Sequence, residues 1–273
     1  MNLENICHSV IEIAREAGQF QMAEINKVRS GDIEVKVLHN FVTYVDKISE
    51  EQIVAALQKL IPEAGFVTEE GTSTHKGTRY NWVVDPLDGT TNYIHRIPLF
   101  SVSIALMEGD EIVIGVIYEP NLNECFYTWQ GAPSFLNGSI ISVSGEQSMS
   151  NALLATGFPY YDYGRMKGYM DLFMYFAENT SGLRRLGSAA VDLAWTACGR
   201  CEGFYEYGLH PWDVAAGALL VANAGGRVTD FKGRNDYIFG GEMLATNKIL
   251  HTEMLDAVKV HFPEKSKETG INS

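Results

Sequence analysis

Two aspartates three residues apart, Asp85 and Asp88, end an apolar strand and lead into a glycine and two threonines in the run Trp82-Val83-Val84-Asp85-Pro86-Leu87-Asp88-Gly89-Thr90-Thr91-Asn92. Carboxylates and a hydroxyl gathered at one bend suit a hard divalent cation, which takes oxygen ligands. Pro86 supplies the fixed φ of a type I turn, so both acids can fall on the same side of the bend. Gly89 lets the backbone come close to a ligand, and Thr90 to Asn92 can open a helix whose first N–H groups point at an anion. The chemistry this predicts is metal-assisted work on a phosphate.

Asp85 to Asn92 resembles the first signature of the inositol monophosphatase family of magnesium-dependent phosphatases. Far downstream, Trp212-Asp213-Val214-Ala215-Ala216-Gly217, followed by Asn223-Ala224-Gly225-Gly226, resembles the second, in which a Trp-Asp pair opens a helix and a Gly-Gly turn ends it. Gly187-Ser188-Ala189-Ala190 and Tyr205-Glu206 lie between them in the family's order. The likeness runs from about the first helix to the last.

That resemblance implies a set of roles. Glu69 and Asp85 with the Leu87 carbonyl would bind one Mg²⁺, and Asp85, Asp88 and Asp213 a second, giving two metals that clamp an in-line displacement. The loop from Gly71 to Tyr80 would carry a third, weaker site. Thr90 would contact the attacking water, Asp46 would hydrogen-bond that threonine, and Glu69 would hold the same water from the metal side. The phosphate would accept from the N–H groups of Gly89 and Thr90, and the polyol would meet Asp88, Gly187, Ser188, Ala189 and Glu206. Glu206 points to inositol 1-phosphate, because a carboxylate accepts from two adjacent hydroxyls and rejects an apolar leaving group. The resemblance also implies a homodimer and inhibition by Li⁺.

The match has departures. Asn223 stands where many relatives have Glu, Ser188 where many have Thr, and Asn40 where Asp is common; the Lys36-to-Asp46 spacing is one residue short against some of them. Gly157-Phe158-Pro159-Tyr160-Tyr161 lacks the serine that some animal members use near the substrate.

Each residue also has an ordinary explanation. A strand-ending Asp is usually a turn former. Thr90 and Asp46 can be caps, Asp213 a helix-start charge and Glu206 a solvated strand end. What those explanations leave unexplained is the combination of Asp85, Asp88, Gly89, Thr90 and Asp213. His95 and His210 are expected to make structural hydrogen bonds, since hard Mg²⁺ disfavours imidazole. Lys36 can equally be a surface residue, Arg184 and Arg185 are expected to face solvent or a subunit contact, and Glu70 to hold a neighbouring loop.

Two other functions compete with this one. A haloacid-dehalogenase-like phosphatase shares the flavour of the central motif, but its acids are two apart and it leaves Trp212-Asp213 unexplained; it would also form an aspartyl phosphate. A non-catalytic regulatory protein on the same scaffold would be favoured by loss of a metal ligand, and every expected ligand is present. Within the phosphatase reading, fructose 1,6-bisphosphate, histidinol phosphate, nucleoside 3′,5′-bisphosphates and NADP stay open as substrates.

The chain that must position these groups has 273 residues, 46% of them hydrophobic, enough for one large domain with a substantial core. A formal net charge of −13 argues against a nucleic-acid surface and repels anionic substrates unless a bound cation inverts the local field. No run approaches the roughly 18 apolar residues of a membrane helix, and Met1 to Asn5 lacks the basic start of a secretory signal, so the expected location is the cytoplasm. The four cysteines are too scattered for a disulfide framework, and Cys198-Gly199-Arg200-Cys201 lacks the partners of a zinc site.

Hydrophobic spacing predicts helices at Leu3 to about Lys27, Asp46 to Leu60, near Tyr163 to Glu178, Ala189 to Cys198, Pro211 to Ala224 and Lys248 to Val260. Strands are predicted at Ile33 to Leu38, Gly65 to Thr68, Trp82 to Val84, Leu183 to Leu186 and Gly203 to Tyr207. Ser101 to Met107, Ile112 to Tyr118 and Glu124 to Trp129 read as an antiparallel meander. Helices on largely antiparallel sheets make the class α+β; the α-β-α-β-α sandwich is what the family resemblance adds. The chain is expected to be one domain over 1–273, with a soft subdomain division near 150 and a frayed polar tail over 263–273.

Overall fold

Cys7, Val10, Ile11, Ala14 and Ala17 recur at helical spacing and are all buried, which makes the first element an amphipathic helix, α1 (Leu3–Glu24). The structure is a computed structural model that describes residues 1–37, 40–159 and 163–262. Leu38 and His39 of the first loop, Tyr160 and Tyr161 of the Gly157 stretch, and the tail from Pro263 lie outside the described residues. Helix α1 ends at Glu24 rather than Lys27, in a turn closed by the Lys27 N–H to the Glu24 carbonyl.

An antiparallel ribbon of β1 (Ile33–Val37) and β2 (Asn40–Thr43) leads into α2 (Tyr44–Leu60). That helix starts two residues before Asp46 because Thr43 caps it, accepting the Val45 N–H at 3.1 Å. There follow β3 (Gly65–Thr68), β4 (Tyr80–Asp88), α3 (Thr90–Ile94), β5 (Ser101–Glu108), β6 (Glu111–Glu119), β7 (Glu124–Trp129), β8 (Ser134–Leu136) and β9 (Ser139–Ile141). The second half holds β10 (Leu153–Thr156), α4 (Met166–Asn179), β11 (Gly182–Arg184), α5 (Ala189–Ala197) and β12 (Gly203–Tyr207). It closes with α6 (Pro211–Asn223), β13 (Arg227–Thr229), β14 (Glu242–Thr246) and α7 (His251–His261).

Strands β3 to β9 form one seven-stranded sheet in sequence order, and a five-stranded sheet runs β11-β10-β12-β14-β13. The predicted meander is present, in antiparallel register throughout. The sheets are largely antiparallel, as expected, with three parallel pairings that the sequence did not announce: β3 with β4, and β10 with both its neighbours. Sequence patterning also missed β10 and β14, short strands buried on both faces that show no alternation. The closing helix starts at His251, not Lys248, because Lys248 has φ +71° and the Asn247 side chain accepts the Leu250 N–H in a turn before it.

The layers alternate. Helices α1 and α2 pack on one face of the large sheet, burying Val10, Ile53, Leu57, Trp82, Ile104 and Val116. Helices α5 and α6 lie between the two sheets, their alanines at 190, 194, 215 and 216 letting helix and sheet approach closely. Helices α4 and α7 cover the small sheet through Tyr169, Leu172, Phe176, Tyr205, Met254 and Phe262. Each fully buried large side chain contributes about 1.5–3 kcal/mol relative to exposure. The result is the α-β-α-β-α sandwich, with the carboxyl end of β4 and the start of α6 brought to one place.

Candidate active site

The first acid pair is set by a break in the β4–β5 ladder. Asp85 pairs with Ser103 and Asp88 with Ser101, so β4 carries one extra residue across Pro86 and Leu87. Proline has no N–H for the ladder, and the bulge it causes re-aims the side chains around it. The turn is held from both sides: Asp85 accepts the Leu87 N–H at 2.9 Å, and Gln21 on α1 donates to the Pro86 carbonyl at 2.6 Å. Gly89 then takes φ +100°, and a Cβ there would lie 3.1 Å from the Gly187 carbonyl oxygen. This left-handed residue caps α3 and starts it at Thr90.

Thr90 stands against Asp46 of α2. Its hydroxyl donates to Asp46 at 2.9 Å and lies 3.1 Å from the Leu87 carbonyl. Asp46 is buried; burial raises its pKa, against the hydrogen bonds from Thr43 and Thr90. Asp88 reaches across to α5, where it accepts the Ser188 hydroxyl and the Ala190 N–H, both at 2.7 Å. Asp213, in the first turn of α6, accepts the His210 N–H at 2.7 Å, and the His210 ring stacks on Trp212 with centroids 4.8 Å apart.

Glu69 follows β3, its N–H donating to the Val84 carbonyl at 3.3 Å. The next residues are held by Glu50, a buried carboxylate on α2 that accepts the N–H groups of Glu70 and Thr72 at 2.8 Å each. Glu50 thus holds the backbone of Glu70 and of the loop that follows it.

A cavity of about 190 Å³ brings these groups together. Glu69, Asp85, Leu87, Asp88, Gly89, Thr90 and Asp213 line it, as do Gly187, Ser188, Ala189 and Glu206. Asp46 lies behind Thr90, outside the lining. Gly157 lines the cavity for a steric reason: a Cβ there would come within 2.2 Å of both Glu206 carboxylate oxygens. Arg185 also lines it, which corrects the reading of that residue as a purely solvent or subunit-contact arginine. His210 lines it too and braces Asp213, and His95 is exposed. Asn223 has a wholly different task, tying the end of α6 to β7 through Thr128 and the Trp129 carbonyl.

Sequence reasoning missed Asp192, a buried acid that also faces the cavity. At the start of a helix it looks like any charge answering the dipole, and no local signal marks it.

Electrostatically the site is frustrated without a cation. Burial and then the charges of Glu69, Asp88 and Asp213 hold the Asp85 carboxyl well above the usual range. Asp88 is pushed up to about 7, by burial and then by Asp213, against the Ser188 and Ala190 hydrogen bonds. Glu206 is pushed up to about 8 by burial, opposed by Arg185. Among the described residues no three acidic, His or Cys side chains close into a finished ligand cluster. Glu69, Asp85, Asp88 and Asp213 with the Leu87 carbonyl nonetheless offer, around one cavity, oxygen donors of the kind a hard cation takes, and a cation there would relieve the repulsion raising Asp85.

The sequence matches the profile of the inositol monophosphatase family over residues 2–261. The chain belongs to the inositol monophosphatase family. A Pseudomonas aeruginosa protein named Nus factor SuhB is 38% identical to it, over 97% of this chain and 100% of its own. An inositol-1-monophosphatase from Mesorhizobium japonicum is also 38% identical, over 92% of this chain and 94% of its own. The solved inositol monophosphatase of Anabaena (Nostoc) shares the fold with a TM-score of 0.86 at 35% identity, covering 95% of this chain and 97% of that one. This inositol monophosphatase family member thus has the sandwich of a phosphatase family, and among the described residues no helix is long and apolar enough to cross a membrane.

Proposed function

We propose that this chain is a Mg²⁺-dependent phosphomonoesterase that hydrolyses myo-inositol 1-phosphate to inositol and phosphate. The observation that carries this reading is the cavity shared by Glu69, Asp85, Asp88 and Asp213 with Glu206 and the Gly187-Ser188-Ala189 turn. Metal donors and a carboxylate suited to hydroxyls face the same space.

Glu69, Asp85, Asp88, Asp213 and the Leu87 carbonyl would hold two Mg²⁺, with a third, weaker position by the loop from Gly71 to Tyr80; when bound, such ions acidify a water and offset phosphate charge. The Thr90 hydroxyl, committed as a donor to Asp46, is left with its lone pairs to accept a hydrogen bond from the attacking water. The N–H groups of Gly89 and Thr90 donate to the phosphate oxygens. Asp88 has one oxygen occupied by Ser188 and Ala190, which fixes the direction of the other. The water oxygen bonds phosphorus as one of its protons passes through the Thr90 hydroxyl to Asp46 and the other stays on the phosphate; the ester P–O bond breaks, the inositol oxygen takes a proton from solvent water, and Asp46 returns its proton to solvent. Glu206 accepts from ring hydroxyls, so an apolar alcohol would leave it buried and unpaired. The same reading places the enzyme in the cytoplasm as a homodimer inhibited by Li⁺.

A second reading rests on the relative from P. aeruginosa that is named a Nus factor. It is a regulatory protein on this scaffold, in which the site binds without turnover. Phosphate release from inositol 1-phosphate, glycerol 2-phosphate, fructose 1,6-bisphosphate, histidinol phosphate, NADP and adenosine 3′,5′-bisphosphate, with Mg²⁺ and with EDTA, separates the two. Mg²⁺-dependent preference for inositol 1-phosphate supports the first. Preference for another substrate reassigns the Glu206 side of the cavity, and no release from any of them puts the regulatory reading first.

A further inference from the structure

One acid in the cavity has no part in the reaction as described. Asp192 is 2% exposed in the first turn of α5, between the apolar Val191 and Leu193. Its Oδ1 is buried with no hydrogen-bond partner among the described residues, although the residue lines the cavity. A carboxylate in that condition destabilises the fold. Burial, and then the nearby charges of Glu206 and Asp88, push its carboxyl well above the usual range, with Arg185 opposing them. Every neighbour on this helix from Ala189 to Trp195 is apolar, so packing alone would be served by Leu or Ala at 192.

An orphaned acceptor beside a substrate cavity is completed by whatever enters. We propose that Asp192 is a specificity-determining residue that hydrogen-bonds one hydroxyl of the polyol while Glu206 takes another, so that Asp192 adds a further acid to those that read the leaving alcohol. A hydroxyl both donates and accepts, so it satisfies either acid whether that acid is ionised or protonated. An alcohol without ring hydroxyls leaves both acids buried and unsatisfied, which is the strongest form of hydrogen-bond discrimination. Arg185, at the same cavity, offsets part of the paired charge.

The proposal rests on the polyol-phosphate reading of this site. The test compares kcat/KM of the Mg²⁺-loaded enzyme on inositol 1-phosphate and on phenyl phosphate for wild type, Asp192→Asn and Asp192→Leu, together with Tm of the metal-free proteins. In Asp192→Leu the loss on inositol 1-phosphate exceeds the loss on phenyl phosphate by roughly 10- to 100-fold. Asp192→Asn, which keeps one acceptor, shows a smaller gap. Metal-free Asp192→Leu melts at or above wild type, because a buried acceptor without a partner has been removed. Equal losses on the two substrates, no loss on either, or a lower Tm in Asp192→Leu would overturn the assignment. A wild type with no preference for inositol 1-phosphate brings down the polyol reading and the proposal with it; a wild-type preference that survives in both variants removes Asp192 alone.

Discussion

Thr90 donates its hydroxyl to Asp46 at 2.9 Å across 44 residues of sequence, and through its other oxygen Asp46 accepts the N–H and hydroxyl of Thr43 at 2.8 and 2.7 Å. One buried carboxylate thereby closes the start of α2 and orients the threonine of the cavity. In Asp46→Asn the single amide oxygen is retained by the two Thr43 donors, so the amide NH₂ faces Thr90 and reverses that hydrogen bond. Thr90 then offers a proton to the water instead of a lone pair. The expected kcat loss is about 10²-fold or more with helix content retained, and stability falls by about 1 kcal/mol. Steady-state kinetics with circular dichroism checks both, and unchanged kcat would sink the assignment of Thr90.

Asp85 concentrates the repulsion of the site, since it is buried and faces the charges of Glu69, Asp88 and Asp213. Asp85→Asn keeps an acceptor for the Leu87 N–H and removes the charge. It is expected to cut Mg²⁺-dependent turnover by about 10³-fold and to raise the Tm of the metal-free protein. Calorimetric titration of Mg²⁺ and thermal melts measure the two effects. Asp213→Asn should lose turnover similarly with the fold intact.

Glu50 does not line the cavity, yet it holds the segment that carries Glu69 by two backbone hydrogen bonds. Glu50→Gln replaces one acceptor by an NH₂ group that faces an N–H, which loosens the segment. The Mg²⁺ concentration for half-maximal activity is expected to rise roughly 10- to 100-fold while kcat at saturating Mg²⁺ falls far less. A collapse of kcat with an unchanged Mg²⁺ requirement would show that Glu50 does something else.

His251 governs part of the acid limb of stability. It is fully buried between the hydroxyls of Thr229 and Thr246, and burial lowers its pKa from 6.5 to about 4. The unfolded chain therefore binds this proton first. Stability from this residue is constant above pH 6.5, falls as pH drops toward about 4, and levels off below that. The drop amounts to about 2 kcal/mol, discounted from the full linkage value for local opening and water entry. Buried acids such as Glu206, raised in the fold, act in the opposite direction, so the test is the difference in Tm between wild type and His251→Gln across this range. A difference that does not change with pH rules out His251 as the titrating group.

Local chemistry made much of the site legible. Pro86 and Gly89 dictate backbone angles wherever they stand, so the bend after Asp85, the opening of α3 at Thr90 and the start of α6 at Pro211 and Asp213 follow from a few adjacent residues; the form of that bend, a bulge in a strand that runs on to Asp88 rather than the expected type I turn after Val84, is set by pairing with β5. The meander of β5, β6 and β7 was legible for the same reason, because each strand pairs with its neighbour through a short turn. Strands β10 and β14 were not: their partners lie elsewhere in the chain, and burial on both faces erases the alternation that would announce them.

The amino-acid sequence by itself determined which residues could carry the chemistry and how each is presented by its own turn or helix, because those depend on φ, ψ and hydrophobic period alone. The tertiary structure decided which of them share a cavity. Asp213 joins Asp85, Arg185 enters the lining, Glu50 braces the Glu69 segment and the Oδ1 of Asp192 is left buried without a partner among the described residues only once the elements are packed together, α5 and α6 between the two sheets. Those relations are set by packing between elements distant in sequence, where a charge on a helix reads the same whether water or another carboxylate will face it.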